Sequence, residues 1–251
     1  MKTKLSIITL VLFSSVSVLA QDMTADQVFD NYYENTGGKE AWSNITGIKI
    51  MAKANQGGME IPLEIVQLKD GRTYTKISLQ GQDIMQAVYD GEVFWSTNFQ
   101  TQKAEKADKE TTENMKLETN DFPDAFLNYQ DKGYSAELLG KETIEGAETY
   151  KVKLTTEPKT IGGKEVESVT FYYFDAENFV PIVQESEIKQ GPMDGKIQQI
   201  TMSDYQEVEN GLYMPYSMTQ GIKDAGSQGI TIESIELNPE IDESLFTYPG
   251  E

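Results

Sequence analysis

The chain has 251 residues, with 41 acidic and 21 basic side chains, a formal charge of −20 at pH 7, and neither cysteine nor histidine. A surface this negative repels phosphate backbones and anionic head groups, which argues against nucleic-acid binding and against tight electrostatic attachment to acidic membranes. Without cysteine or histidine there are no disulfides, no Ser–His–Asp or Cys–His chemistry and none of the usual zinc, copper or haem ligands, which leaves only carboxylate, lysine, tyrosine or oxygen-ligand chemistry.

The first twenty residues, MKTKLSIITLVLFSSVSVLA, combine Lys2 and Lys4, an apolar run from Leu5 to Phe13, and small residues with Val18 and Ala20 at the −3 and −1 positions. That pattern predicts a secretory signal peptide cleaved after Ala20 and an exported, periplasmic chain. The run is shorter than the ~20 residues a membrane-spanning helix needs and no later segment reaches that length, so no integral span is expected. Residues 21–251 are expected to form a single monomeric domain that rests on its core alone.

TADQVFDNYYENTGG (24–38) predicts a helix. Thr24 and Gln27 make a capping box, Val28, Phe29, Tyr32 and Tyr33 share one face, and Gly37 supplies a stop. From Ile45 the rhythm changes to period two. Ile48, Ile50 and Ala52 alternate with polar residues, as do Met59, Ile61, Leu63 and Ile65, and the KDG turn at 69–71 leads to Thr73, Thr75, Ile77 and Leu79. Such alternation means one dry and one wet face. In VYDGEVFWSTN (88–98), Asp90-Gly91 is a hairpin turn between apolar runs.

Residues 101–121 are charged and without strand rhythm, and DFPDAFLNYQDKG (121–133) reads as a short helix whose apolar residues are Phe122, Phe126, Leu127 and Tyr129. This insertion is placed to cover an open sheet edge or mouth. Strands resume at 150–154, 166–175, 178–186, 196–205, 212–220 and 229–238, with Pro215 marking an edge strand. The expected fold class is mainly β with few helices: a half-open antiparallel barrel of about 11 strands, enclosing or covered by helices.

Together, the N-terminal helix Thr24–Gly37, the D-G-x-x-x-W of Asp90 to Trp95, a helical insertion over 110–130 and a terminal F-x-x-P (Phe246 to Pro249) resemble the LolA-like outer-membrane lipoprotein carrier family. The resemblance is to its long, lipid-anchor-free members in exported proteins of the Bacteroidetes type. It covers most of residues 23–250, although the chain is longer than the typical carrier. The resemblance implies an incomplete barrel wrapped over helices, with an apolar cavity that takes lipid or lipoprotein acyl chains in the periplasm. It also gives Arg72, after the Asp70-Gly71 turn, the role of an arginine that helps hold a lid shut.

The residues themselves leave core packing and a ligand cavity both open. A half-closed sheet has a concave face too wide for its own side chains to fill, so its apolar residues meet helices or line a cavity. The candidate cavity residues are Ile48, Ile50, Ile61 and Leu63 on the early strands, Met85 and Trp95 around the hairpin, and Phe122 and Phe126 in the insertion. Phe171, Tyr173, Met202 and Met214 complete the set. Acidic pairs such as Glu185/Glu187, Asp204/Glu207 and Asp242/Glu243 read as solvated surface. No catalytic residue, metal or cofactor is expected. Three functions remain: an acyl-chain carrier, a non-catalytic module that docks an envelope protein, and a carboxylate-dependent hydrolase.

Overall fold

The computed structural model describes residues 23–250; the expected signal peptide lies outside them. In chain order come α1 (Ala25–Asn35), α2 (Lys39–Ser43), β1 (Gly47–Gln56), β2 (Met59–Leu68), β3 (Thr73–Leu79), β4 (Gln82–Tyr89), β5 (Phe94–Thr97) and β6 (Ala104–Lys106). Then follow α3 (Lys109–Glu118), β7 (Ser135–Ile144), β8 (Ala147–Ile161), β9 (Lys164–Asp175), β10 (Pro181–Glu187), β11 (Ile197–Glu207), β12 (Tyr213–Ile222) and β13 (Ser227–Leu237).

All strands join one 13-stranded sheet in the order β6-β5-β4-β3-β2-β1-β13-β12-β11-β10-β9-β8-β7. Two antiparallel meanders are thus seamed by the β1–β13 pair, where Ile48 faces Leu237 and Ile50 faces Ile235. The free edges, β6 and β7, are consecutive in sequence. The chain between them, residues 107–134, must therefore cross the open side of the sheet. The expected fold class holds: mainly β, antiparallel and not closed into a barrel.

Alternation gives this sheet two distinct cores. On the inner face, α1 packs its predicted stripe against β8, β9 and the crossing segment: Phe29 stacks on Phe126 with ring centroids 4.9 Å apart and meets Phe174 at 5.8 Å. The capping box forms as predicted, with Thr24 and Gln27 exchanging hydrogen bonds. On the outer face, Val66, Tyr74, Val88 and Trp95 form a second core, closed by Phe246. Trp95 donates its indole N–H to the Phe246 carbonyl at 3.1 Å, and its ring meets Tyr248 edge-on.

The departures from expectation have local causes. The strand count rises above eleven because β6 spans only Ala104–Lys106 and β7 is largely exposed, so neither carries an apolar rhythm. Residues 121–133 form consecutive turns instead of a helix, and the helix sits in the charged stretch as α3. Asp124 Oδ1 accepts from the backbone N–H groups of Phe126 and Leu127, and Asn128 takes a positive φ of 51°, both turn features that compete with a helix. Pro215 lies on an interior strand, but β12 pairs with β13 only from Ser217 onward, so the proline has a neighbour on one side alone. Asp90-Gly91 does turn the chain, with Asp90 Oδ1 accepting from the N–H groups of Glu92 and Val93 and Gly91 at φ 103°.

Because Trp95 and Phe246 complete one outer core, Trp95→Ala and Phe246→Ala are each expected to cost about 3–5 kcal/mol. The double variant is expected to lose less than the sum, because both side chains belong to the same small core. Urea unfolding of the four-member cycle checks this.

Candidate functional site

Inside the curled sheet, beyond the part filled by α1 and the crossing segment, a cavity of about 880 Å³ remains. Its walls come from both meanders and the crossing chain. β1 contributes Ile48 and Ile50, β11 and β12 contribute Met202, Met214 and Met218, and β13 contributes Ile232 and Ile235. Phe122, Phe126 and Tyr172 close one end. Met202 and Met218 pair directly across β11 and β12, placing two flexible thioethers side by side.

Of the candidates read from sequence, Ile48, Ile50, Phe122, Phe126, Met202 and Met214 line this space. Leu63 and Ile61 pair with Ala52 and Ala54 and so share the face of Ile50, but they lie past the cavity wall; Leu63 packs against the inner core. The remaining four belong elsewhere. Trp95 and Met85 pack in the outer core. Phe171 and Tyr173 alternate with Tyr172 and take the opposite face of β9, where the Lys151 ammonium sits 5.3 and 5.1 Å from their rings. Period two separates two faces but does not say which one curls inward.

The crossing segment lines the cavity through Met115, Leu117 and Phe122. α3 is tied to the β8–β9 hairpin: Asn114 exchanges two hydrogen bonds with the Thr160 backbone, at 2.7 and 2.9 Å. Glu110 accepts from the Gly162 and Gly163 N–H groups at 2.8 Å each, and Lys159 pairs with Glu118. Arg72 lines the cavity but points its charge elsewhere. It pairs with Asp70 at 2.8 Å and Glu243 at 3.6 Å and lies 5.1 Å from the Phe246 ring, so its ion pairs hold the C-terminal segment and not α3.

Much of the lining is also polar, with Lys159, Gln184, Glu187 and Gln198 among it, and the sequence reading missed the part that lies in the crossing segment. Asp121 and Asp124 line the cavity beside Tyr134 and Tyr172. Asp124 Oδ1 accepts from the Tyr33 hydroxyl at 2.7 Å as well as from the two backbone N–H groups. Asp124 Oδ2 and Asp121 Oδ1 are shut off from solvent and have no hydrogen-bond partner among the described residues. Burial pushes both carboxyls above the usual aspartate range, and it pushes the neighbouring Lys132 ammonium down.

Of the acidic pairs noted in the sequence, Glu187 lines the cavity and pairs with Lys189, itself a lining residue. Glu185 sits on the outer face, bonded to Tyr173, Gln199 and Lys223. Asp242 caps the turn before Phe246. Among the described residues no group of three or more acidic side chains is placed to hold a metal ion, and no helix is long and apolar enough to cross a membrane.

No protein-family model and no curated protein sequence matches the chain. Solved structures do. An outer membrane lipoprotein-sorting protein domain from Vibrio parahaemolyticus aligns over 88% of this chain and 94% of its own, with a TM-score of 0.52 and 11% identity. A LolA superfamily protein from Nitrosomonas europaea aligns over 90% and 98%, with a TM-score of 0.53 and 13% identity. The fold is LolA-like. A DUF1329 family protein from Desulfovibrio piger shares this LolA-like architecture, over 89% of this chain and 97% of its own, with a TM-score of 0.54 and 12% identity. At these identities the likeness is one of fold.

A carboxyl whose pKa is higher folded than unfolded binds an extra proton in the folded state, so stability falls as pH rises through the folded value. Asp121→Asn removes that penalty. The variant is therefore expected to be more stable than the parent at pH 7, with the gap closing as pH falls toward the ordinary aspartate value of 3.8. Urea midpoints across that range check it; a gap that widens on acidification contradicts it.

Proposed function

We propose that this chain is an exported carrier or binding protein for acyl chains of lipids or lipoproteins, working in the periplasm without catalysis. The observation that carries the reading is the cavity of about 880 Å³ lined by Ile48, Ile50, Met202, Met214, Met218 and Ile232. Its size is within the range of small-molecule sites, and methionines beside rigid aromatics suit chains of variable shape. Each buried CH₂ contributes about 0.8 kcal/mol, so about twelve of them supply roughly 10 kcal/mol before ordering costs are subtracted. A ligand held that way needs no anionic anchor, which accords with the chain's charge of −20. The LolA-like fold and the leader-like N-terminus support the same reading.

A second reading rests on Asp121 and Asp124, because a pair of acids on a cavity wall is what a carboxylate-dependent hydrolase requires. Against it, three donors hold Asp124 Oδ1, which leaves Asp121 as the one carboxylate of the pair free to act where such a reaction needs two. Ester or glycoside turnover that disappears in Asp121→Asn would favour it.

The carrier reading is tested with an uncharged fluorescent probe, N-phenyl-1-naphthylamine. Met202→Trp fills the cavity and is expected to weaken probe uptake about tenfold, equal to about 1.4 kcal/mol, at unchanged melting temperature. Phe171→Leu, on the opposite face, is expected to leave uptake unchanged. Probe that ignores the wild-type protein, or equal uptake by Met202→Trp, contradicts the reading.

A further inference from the structure

The polar wall bears on the kind of ligand, and this inference rests on the carrier reading. Segment 119–134 brings Asp121, Asp124 and Tyr134 onto the cavity lining, with Lys132 close to Asp124. Lys132 does not satisfy either free oxygen: its Nζ donates to the Asp124 backbone carbonyl at 3.0 Å. Leaving a buried acceptor unpaired costs about 1–3 kcal/mol, and more when it is charged. Two such oxygens, Asp121 Oδ1 and Asp124 Oδ2, occur in this one wall. Buried polar groups without a partner in the chain are places where a ligand group can complete the network.

Charge decides which group. Six carboxylates line the cavity against three cations, Arg72, Lys159 and Lys189, so the lining is acidic and a carboxylate or phosphate head group would meet net repulsion as well as lose its hydration. A cation would be drawn to the aspartates. Aromatic faces stand beside them: Tyr172 packs edge-on against Phe126 with ring centroids 4.6 Å apart, and both line the cavity. Rings so placed favour a cation further. Both aspartate side chains also line the cavity; rotation of the Asp121 carboxyl about its last side-chain bond is soft, so its free oxygen can turn toward the space, while Asp124, held through Oδ1 by three donors, contributes its charge.

We propose that the cavity selects amphiphiles with a protonated amine head group, the ammonium donating to Asp121 in the field of the neighbouring Asp124 while the hydrocarbon chain lies along Ile48, Met202 and Ile232.

The test compares three ligands with one chain length, dodecylamine, dodecanol and dodecanoate, as displacers of N-phenyl-1-naphthylamine at neutral pH and moderate salt. Dodecylamine is expected to displace at a concentration about tenfold below dodecanol, with dodecanoate weakest. Asp121→Asn with Asp124→Asn is expected to bring amine and alcohol within about threefold of each other. Asp194→Asn with Glu209→Gln removes two exposed charges elsewhere, and is expected to leave the order intact, separating the wall from general attraction to an acidic surface. Should the double variant not fold, Asp121→Asn alone is expected to narrow the preference. Dodecanoate at or above dodecylamine in potency, or an order unmoved by the wall variants, overturns the proposal while leaving the cavity in place. Failure of the wild-type protein to take up the probe at all overturns the carrier reading and this inference with it.

Discussion

The two edge strands of this sheet, β6 and β7, do not pair, and that gap shapes the rest of the molecule. Thirteen strands are more than the roughly eight at which side chains alone fill a closed barrel. Left open, the sheet has an inner face wider than its side chains can cover, and the chain that links the two edges must pass over it. α1 and residues 122–134 fill part of the interior with the aromatic cluster around Phe29, Phe126 and Phe174. What they do not fill is the cavity. Hydrogen bonds from α3 to the β8–β9 hairpin hold the crossing chain in place, and they are mostly at the surface, where such contacts are weakest.

The second consequence is a division of labour between the two faces. Inner-face side chains split between packing and lining, while the outer face of β2 to β5 packs into a core sealed by the C-terminal segment. Phe246 is almost wholly buried there, against Tyr74 and under the guanidinium of Arg72. A chain with no disulfide thus secures its last residues by burying an aromatic and pairing Arg72 with Glu243. The terminal F-x-x-P and the D-G-x-x-x-W, far apart in sequence, meet in this one core.

Much of this was legible before any coordinates. The capping box, the apolar stripe of α1, the period-two strands and the Asp90-Gly91 turn each rest on local chemistry, and each is found in the fold. Facing was not legible, because alternation separates two faces without saying which one curls inward; Trp95, Met85, Phe171 and Tyr173 were candidates for the cavity and pack on the outside. Arg72 likewise sits at the cavity rim, but its partners are decided by a tail more than 150 positions downstream in the chain. Asp121 and Asp124 gave no signal among 41 acidic residues, since their meaning lies in two oxygens left unpaired by tertiary packing. The Phe122-Pro123-Asp124 stretch did carry a hint: proline followed by aspartate favours turns over the helix that its apolar residues suggested.

The central claim is that the open side of the sheet leaves room for an acyl chain, and that the chain is what the fold carries. Native mass spectrometry of the protein purified without detergent from the cells that make it tests this most directly. The account predicts a stoichiometric adduct with the mass of an acyl-bearing species, released on denaturation and absent from Met202→Trp. A bare polypeptide mass, unchanged after incubation with extracted lipids from the same cells, would contradict it.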